Sequence, residues 1–291
     1  MEEARRILVW GSTGWLGNKL CHAWPEGSGD IIPANSRLEA VDDTIAELAA
    51  VKPNRVIIAA ALTGVPTVDW CDAHKAETLA VNYAGTLALV RACSKRGIHC
   101  TLLGSGCIYE HDEKHPNVGD SSLGFTEEDA PNFIGSFYSR TKAMLEEDIK
   151  GLENVLLLRI RMPVTGDGSA RCLLTKLLSY KKHVVGDQHN SITFIPDMLP
   201  LIPILASSGV TGVYNFVQPN ALTHRTILAC ALGPKAEEYN FVPGSEAASL
   251  TAAPRSNCSL NPDKLQQVLK KLDLPPLRTA SACLSGLLAD S

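Results

Sequence analysis

The apolar run Ile7-Leu8-Val9-Trp10 stops at Gly11-Ser12-Thr13-Gly14-Trp15-Leu16-Gly17, and a helical pattern from Asn18 to Ala23 comes next. Strand, glycine turn and helix in that order constrain the fold strongly. The chain reverses tightly, and N–H groups at the helix start point at whatever sits in the turn. A dinucleotide pyrophosphate suits such a turn. The spacing is Gly-x-x-Gly-x-x-Gly, not the commoner Gly-x-Gly-x-x-Gly, and by itself it also fits a plain tight loop. If the turn holds a cofactor, Gly11, Thr13, Gly14, Trp15, Leu16 and Gly17 line it.

Downstream of residue 23, short apolar runs alternate with longer helical patterns, as parallel βαβ units require. Strands are predicted at Ile7 to Trp10, Ile31 to Ala34, Val56 to Ala60, Cys100 to Leu103 and Val155 to Arg159. Helices are predicted at Asp42 to Val51, His74 to Arg96 and Phe137 to Lys150. The fold class is therefore α/β, a Rossmann-type doubly wound parallel sheet with a smaller C-terminal substrate-binding lobe. The division is placed between residues 163 and 164, with some C-terminal segments returning to the first domain. Past Pro163 the elements shorten, with helices near Ala170 to Lys181, Pro196 to Ser207, Thr223 to Ala231 and Pro262 to Leu272, the last capped by Asn261. The interval from Tyr109 to Ile134 is rich in glycine, proline and acids and reads as an active-site loop.

Of the 291 residues 45% are hydrophobic and 20% charged, which excludes a disordered chain. A net charge of −4 without a basic stripe argues against nucleic acid as a partner. No apolar run reaches the length of a membrane span. Met1 to Arg6 leads straight into a strand, so neither signal peptide nor anchor is expected. Nine cysteines without a Cys-x-x-Cys pair indicate neither a zinc site nor a disulfide framework, and a cytoplasmic location suits them. His111-Asp112-Glu113-Lys114-His115 resembles a zincin motif only superficially, because the glutamate is misplaced and Pro116 follows; a solvated loop is expected there, and no metal.

Tyr138-Ser139-Arg140-Thr141-Lys142 places a phenol and an ammonium one helical turn apart on one face. A lysine so held favours the phenolate, so the tyrosine can exchange a proton with a carbonyl or alcohol oxygen. That is the proton half of a hydride transfer, and it tilts the glycine turn towards cofactor binding. An NAD site commonly has an acid about 20 residues past the glycines. Here the second strand runs into Asn35-Ser36-Arg37, where a guanidinium and a hydroxyl suit a 2′-phosphate. NADPH is favoured, with NADH as the alternative; Arg37 paired with Glu39 or Asp42 at the surface is the competing reading.

With these residues the chain resembles the extended short-chain dehydrogenase/reductases and, within them, the plant-type nucleotide-rhamnose epimerase-reductases. The likeness lies in Ser36-Arg37-Leu38-Glu39, Val68-Asp69-Trp70-Cys71, Ser105-Gly106-Cys107-Ile108-Tyr109, Pro131 to Met144, Arg159 to Pro163, Leu199-Pro200, Tyr214-Asn215-Phe216 and Ala253 to Asn257. The resemblance implies 3,5-epimerisation and 4-keto reduction of UDP-4-keto-6-deoxy-glucose to UDP-rhamnose. It implies that Ser105 hydrogen-bonds the 4-keto oxygen, that Tyr138 protonates it, and that Lys142 binds the nicotinamide ribose and holds down the tyrosine pKa. The family has threonine where Ser105 stands, and either hydroxyl can donate.

Epimerisation needs a base and an acid on opposite faces of the sugar. Cys107 lies two residues past Ser105 and points to the same side if the backbone stays extended. The resemblance makes it one partner and Lys176 the other. A thiol with an ordinary pKa would need a local positive charge to act as base. The likeness also places Ala60, Ala61, Thr63 and Arg161 along the cofactor. It places Gly64, Asn82, Asn132, Ser136, Asn190, Arg255 and Asn257 with the substrate, Asn82 as a helix asparagine supporting the site and Arg255 and Asn257 gripping diphosphate and ribose. A homodimer is a candidate assembly. Rival readings are a monofunctional dTDP-4-dehydrorhamnose reductase, a GDP-fucose-synthase-like enzyme pairing a cysteine with His183, and a non-catalytic cofactor-binding subunit.

Overall fold

The computed structural model describes residues 5–64, 67–179, 183–249 and 253–287, so residues 1–4 and the predicted helix end at 180–181 lie outside the described residues. The chain forms two compact units, one of residues 1–104, 136–158 and 199–213, the other of 105–135, 159–198 and 214–291. Residues 199–213 thus belong to the first unit although they come late in the sequence.

In the first unit the elements begin with β1 (Arg6–Trp10), α1 (Trp15–Ala23), β2 (Asp30–Pro33), α2 (Val41–Val51) and β3 (Arg55–Ile58). They continue with α3 (Asp69–Ala73), α4 (Lys75–Leu79), a π-helical stretch (Ala80–Gly85), α5 (Thr86–Lys95), β4 (His99–Ser105), α6 (Phe137–Ile149) and β5 (Val155–Ile160). β1 pairs in parallel with β2 (Ile7 opposite Ile31) and β3 (Leu8 opposite Val56), and β3 with β4 (Ile58 opposite Leu102). Val56, Ile57 and Ile58 are fully buried on both faces of the strand, as an interior parallel strand demands. The core gathers Leu8, Trp10, Val56 and Ile58 from strands with Leu48, Leu89, Val90, Leu145 and Ile149 from helices. Each such side chain contributes about 1.5–3 kcal/mol by leaving water.

The helix predicted from His74 to Arg96 is α4, the π stretch and α5 end to end. The widened turn lets the Thr86 hydroxyl donate to the Val81 carbonyl at 2.7 Å. It also points the fully buried Asn82 at the segment after β3. Gly85 sits on the α2 approach, where an added Cβ would overlap the carbonyl oxygen of Leu38.

The second unit holds β6 (Pro163–Val164), α7 (Leu173–Ser179), β7 (His183–Val185), β8 (Thr193–Phe194) and α8 (Ile195–Met198). α9 (Leu201–Ser207) follows in the first unit, so the single helix expected from Pro196 to Ser207 is broken at Leu199-Pro200. β9 (Gly212–Asn215), which the sequence did not announce, completes a six-stranded sheet of order β2-β1-β3-β4-β5-β9. α10 (His224–Leu232), β10 (Asn240–Val242), α11 (Asp263–Lys271) and α12 (Ala280–Leu287) close the chain. Thr223 caps α10 by accepting the Thr226 N–H at 3.1 Å. Asn261 accepts from Asp263 N at 2.8 Å, with Pro262 between them at the helix start. β6 pairs with β8 and β7 with β10 in two-stranded ribbons.

The interval from Tyr109 to Ile134 is irregular, apart from one short turn of 3-10 helix at Ser121–Leu123. Around His111 and His115 it is the expected exposed loop at Asp112, Glu113 and Lys114, but not at His115. His115 is buried, stacks on Phe125 at 3.8 Å and pairs through Nδ1 with Asp112 at 2.8 Å. The fully buried Arg159 lies over the Tyr109 ring and donates to Thr126 O and Asn215 Oδ1 at 3.2 and 3.1 Å.

Gly85→Ala is expected to lower unfolding stability by about 2–3 kcal/mol, because backbone and not a flexible side chain blocks the new methyl. Urea denaturation measures this; an unchanged midpoint would contradict the close approach to Leu38.

Candidate active site

The glycine turn is built from three backbone approaches. Gly11 has φ +84°, and a Cβ there would strike the Ala59–Ala60 backbone; at Gly17 it would overlap the Gly11 carbonyl oxygen. Gly14 N–H donates to Gly11 O at 2.9 Å and Gly14 O accepts from Asn18 N at 2.8 Å, so Gly14 caps α1 in extended conformation. Thr13 and Gly14 are exposed, and Trp15 and Leu16 half-buried. A glycine-rich turn at a helix start, where backbone N–H groups face outwards, fits a pyrophosphate. Ala60, Ala61 and Thr63 follow β3 and are half-buried. The segment is fixed by Asn82, whose Oδ1 accepts Leu62 N–H at 2.8 Å and whose Nδ2 donates to Leu62 O at 2.7 Å. Asn82, expected with the substrate, is therefore a positioning residue, because its amide faces backbone and not solvent. At Gly64, whose φ is +74°, an added Cβ would overlap the Thr67 carbonyl oxygen.

At the end of β2 the structure supplies what the sequence did not show. Glu47 of α2 accepts the N–H groups of Asn35 and Ser36 at 2.7 and 2.8 Å. This carboxylate comes from α2, twelve residues past Asn35, and is engaged by backbone. Ser36 Oγ accepts from Trp10 Nε1 at 3.2 Å. Arg37 pairs with Glu39 at 2.6 Å, the competing surface pairing, with three-quarters of its side chain exposed.

Ser136 is the N-cap of α6, accepting Ser139 N–H at 3.1 Å, and is buried; it is a helix-capping residue and not one open to a substrate. The Phe137 N–H is anchored on Asp72 at 3.2 Å. Tyr138 and Lys142 then lie one turn apart, Lys142 Nζ 5.8 Å from the phenol ring centre. Lys142 is 5% exposed, and burial pulls its pKa down to about 8, a nearby Cys71 opposing.

The second unit carries Ser105, Cys107, Lys176, Asn190, Arg255 and Asn257. β4 ends at Ser105 and the chain bends at Gly106, so the extended backbone assumed for Cys107 is not present. Adjacency arises otherwise: Ser105 Oγ accepts the Cys107 N–H at 3.1 Å, leaving the hydroxyl proton to donate elsewhere. Arg161, expected along the cofactor, is fully buried and directs Nη1 to Cys107 Sγ at 2.8 Å and Nη2 to Ser256 O at 2.5 Å and to Asn190 Oδ1. Asn190 is fully buried, accepts Cys258 N–H at 3.2 Å and donates to Asn257 Oδ1 at 3.0 Å. It organises the site without being open to a ligand itself. Asn132 clamps Glu110 through its N–H and carbonyl at 2.8 and 2.9 Å. Arg255 is half-buried and donates to Ala253 O at 3.0 Å. Lys176, half-buried on α7, has its pKa lowered by burial and by Arg171 and Arg255, with Cys172 opposing.

Fold and glycine cradle define a nicotinamide-dinucleotide-binding protein of Rossmann type. The profile of the NAD dependent epimerase/dehydratase family matches residues 7–154. The bifunctional dTDP-4-dehydrorhamnose 3,5-epimerase/dTDP-4-dehydrorhamnose reductase of Arabidopsis thaliana is 42% identical over 91% of this chain and 88% of its own length. A trifunctional UDP-glucose 4,6-dehydratase/UDP-4-keto-6-deoxy-D-glucose 3,5-epimerase/UDP-4-keto-L-rhamnose-reductase of the same plant is 38% identical over 92% of this chain, which spans 40% of that protein. The crystal structure of the UDP-rhamnose synthase of Acanthamoeba polyphaga mimivirus superposes with a TM-score of 0.87 at 29% identity, covering 99% of this chain and 100% of that one. The chain belongs to the NAD dependent epimerase/dehydratase family and, within it, to the nucleotide-rhamnose epimerase-reductases. Among the described residues no helix is long and apolar enough to cross a membrane.

The Lys142 shift has a consequence for stability. A lysine whose folded pKa is about 8 is charged in both states below that pH, and its burial then opposes folding; the penalty fades as pH rises towards the unfolded value near 10.4. Lys142→Met should stabilise the cofactor-free protein at pH 7 by on the order of 3 kcal/mol, with the advantage shrinking between pH 8 and 10. Denaturation of both proteins at several pH values checks this; a pH-independent difference would contradict it.

Proposed function

We propose that the protein converts UDP-4-keto-6-deoxy-glucose to UDP-L-rhamnose by 3,5-epimerisation and then NADPH-dependent reduction at C4. The observation that carries this reading is the hydrogen bond from the Cys107 backbone N–H to Ser105 Oγ, which ties the cysteine's backbone to a hydroxyl suited to a ketone, in a chain related over 91% of its length to an epimerase-reductase. A reductase alone has no use for Cys107 or Lys176. Both are present, and Lys176 has the depressed pKa that proton exchange near neutrality favours.

Ser105 donates a hydrogen bond to the 4-keto oxygen, and Tyr138 does so as a proton donor. Polarising that carbonyl acidifies the hydrogens at C3 and C5. Cys107 and Lys176 then remove a proton from one face and return one to the other, and each epimerised carbon passes through an enolate whose charge rests on the same oxygen. NADPH, when bound, supplies the hydride for C4. Tyr138 delivers the proton to O4, and Lys142, a helical turn away, stabilises the resulting phenolate. Arg37, with Ser36 beside it, offers an exposed guanidinium for the 2′-phosphate that distinguishes NADPH from NADH. Arg255 presents a guanidinium suited to the substrate diphosphate.

Cys107→Ala is expected to reduce solvent deuterium incorporation into the sugar by at least about 100-fold, the scale of a lost general base, with NADPH affinity unchanged. Tyr138→Phe is expected to do the reverse: exchange persists while NADPH consumption falls by a similar factor. Mass spectrometry of the recovered nucleotide sugar and absorbance at the coenzyme band separate the two. Equal loss of both signals in both variants would rule out the division of labour.

A further inference from the structure

We infer that Arg161 is a positioning residue that sets its positive charge against the Cys107 sulfur, the atom that takes the sugar proton, and that Asn190 links this guanidinium to Asn257. The inference rests on the epimerase reading for its purpose but not for its geometry. Arg161 stands at the end of the strand run that carries Arg159, with its guanidinium fully enclosed. One arm donates to Cys107 Sγ at 2.8 Å. The other reaches Ser256 O and Asn190 Oδ1, so the planar fork is fixed at both ends and cannot swing off the sulfur. Asn190 in turn donates to Asn257 Oδ1 at 3.0 Å, and Asn257 Nδ2 donates to Arg255 O at 3.3 Å. A nucleotide held by Arg255 and Asn257 would therefore press on the same chain of bonds that orients the guanidinium.

Other titratable groups around the pair do not supply this charge. Cys258 is fully buried, its thiol pushed up by desolvation. Arg159 is directed to Thr126 and Asn215. His224, pushed down to about 4 by burial with Arg161 opposing its protonation, is neutral near pH 7. The guanidinium of Arg161 is the positive charge in contact with the sulfur.

The step balances as a proton transfer. The C–H bond α to the ketone breaks, its electron pair becomes the enolate, and the proton forms S–H on Cys107; Lys176 as ammonium returns a proton to the opposite face. Solvent exchange afterwards restores thiolate and ammonium. A cation fixed at the sulfur favours the state before the transfer. This assigns the base to Cys107 and the acid to Lys176.

Iodoacetamide alkylation of Cys107, followed by peptide mass spectrometry at pH 7 and pH 10, tests the inference without any sugar. In the unmodified protein the rate at pH 7 should be at least about a third of the pH 10 rate, whereas an ordinary thiol is only a few per cent thiolate at pH 7. Arg161→Met should slow alkylation at pH 7 by roughly tenfold and leave the pH 10 rate within about twofold. Arg161→Lys, which keeps the charge, should recover most of the pH 7 rate. A pH 7 rate of a few per cent in the unmodified protein would overturn the inference even if Arg161→Met failed to fold. So would an Arg161→Met protein with an unchanged ratio of the two rates. Because alkylation needs no substrate, a protein that shows the predicted ratio but exchanges no sugar hydrogen would sink the epimerase reading and leave the Arg161–Cys107 pair standing.

Discussion

The close backbone approach at Gly11, Gly17 and Ala60 is the constraint on which the first unit depends. Three chain segments meet there with no room for a side chain: the end of β1, the first turn of α1 and the start of the segment after β3. Because a methyl at Gly17 would overlap the Gly11 carbonyl, α1 can lie against the turn only if both positions are glycine. The turn these glycines make leaves Thr13 and Gly14 exposed, where a pyrophosphate can approach. Packing and binding are thus two consequences of one steric requirement.

Around that point, polar side chains fix loops. Asn82 on the π stretch holds Leu62, Glu47 holds Asn35 and Ser36, and Asp72 holds the start of α6. Each is a side chain on one element accepting or donating to backbone on another, and a backbone group left unbonded in a buried setting costs roughly 1–3 kcal/mol. The π stretch is explained by its neighbours: one extra residue per turn lets Gly85 meet Leu38 and turns Asn82 towards Leu62. In the second unit the buried guanidinia of Arg159 and Arg161 play the corresponding part, each bonded to backbone carbonyls from distant segments.

Much of this was legible in the sequence, and the limits are physical. β1 to β5, α2 and α6 emerge at nearly their true bounds because long periodic runs and apolar strands carry their own signal. β9 gave none: four residues, beginning with a glycine and only half buried, do not differ from a loop. The helix predicted across Leu199-Pro200 ignored a proline that ends one helix and starts the next. At the site, Tyr138 and Lys142 were readable since their spacing is local. The Arg161–Cys107 contact was not, as 54 residues separate the partners. One clue existed: Val155 to Arg161 places two arginines in an otherwise apolar strand, and buried cations demand partners. Glu47 was missed for the same reason as Cys107's partner, since it comes from a helix twelve residues on.

The most direct test of one chain performing both reactions is the isotopic content and configuration of its product. UDP-4-keto-6-deoxy-glucose, NADPH and the purified protein in deuterium oxide should yield UDP-L-rhamnose carrying deuterium at C3 and C5, read by NMR of the sugar ring. A 6-deoxy sugar that retains the substrate configuration at C3 and C5 and carries no ring deuterium would contradict the account, as would the absence of any reduced product.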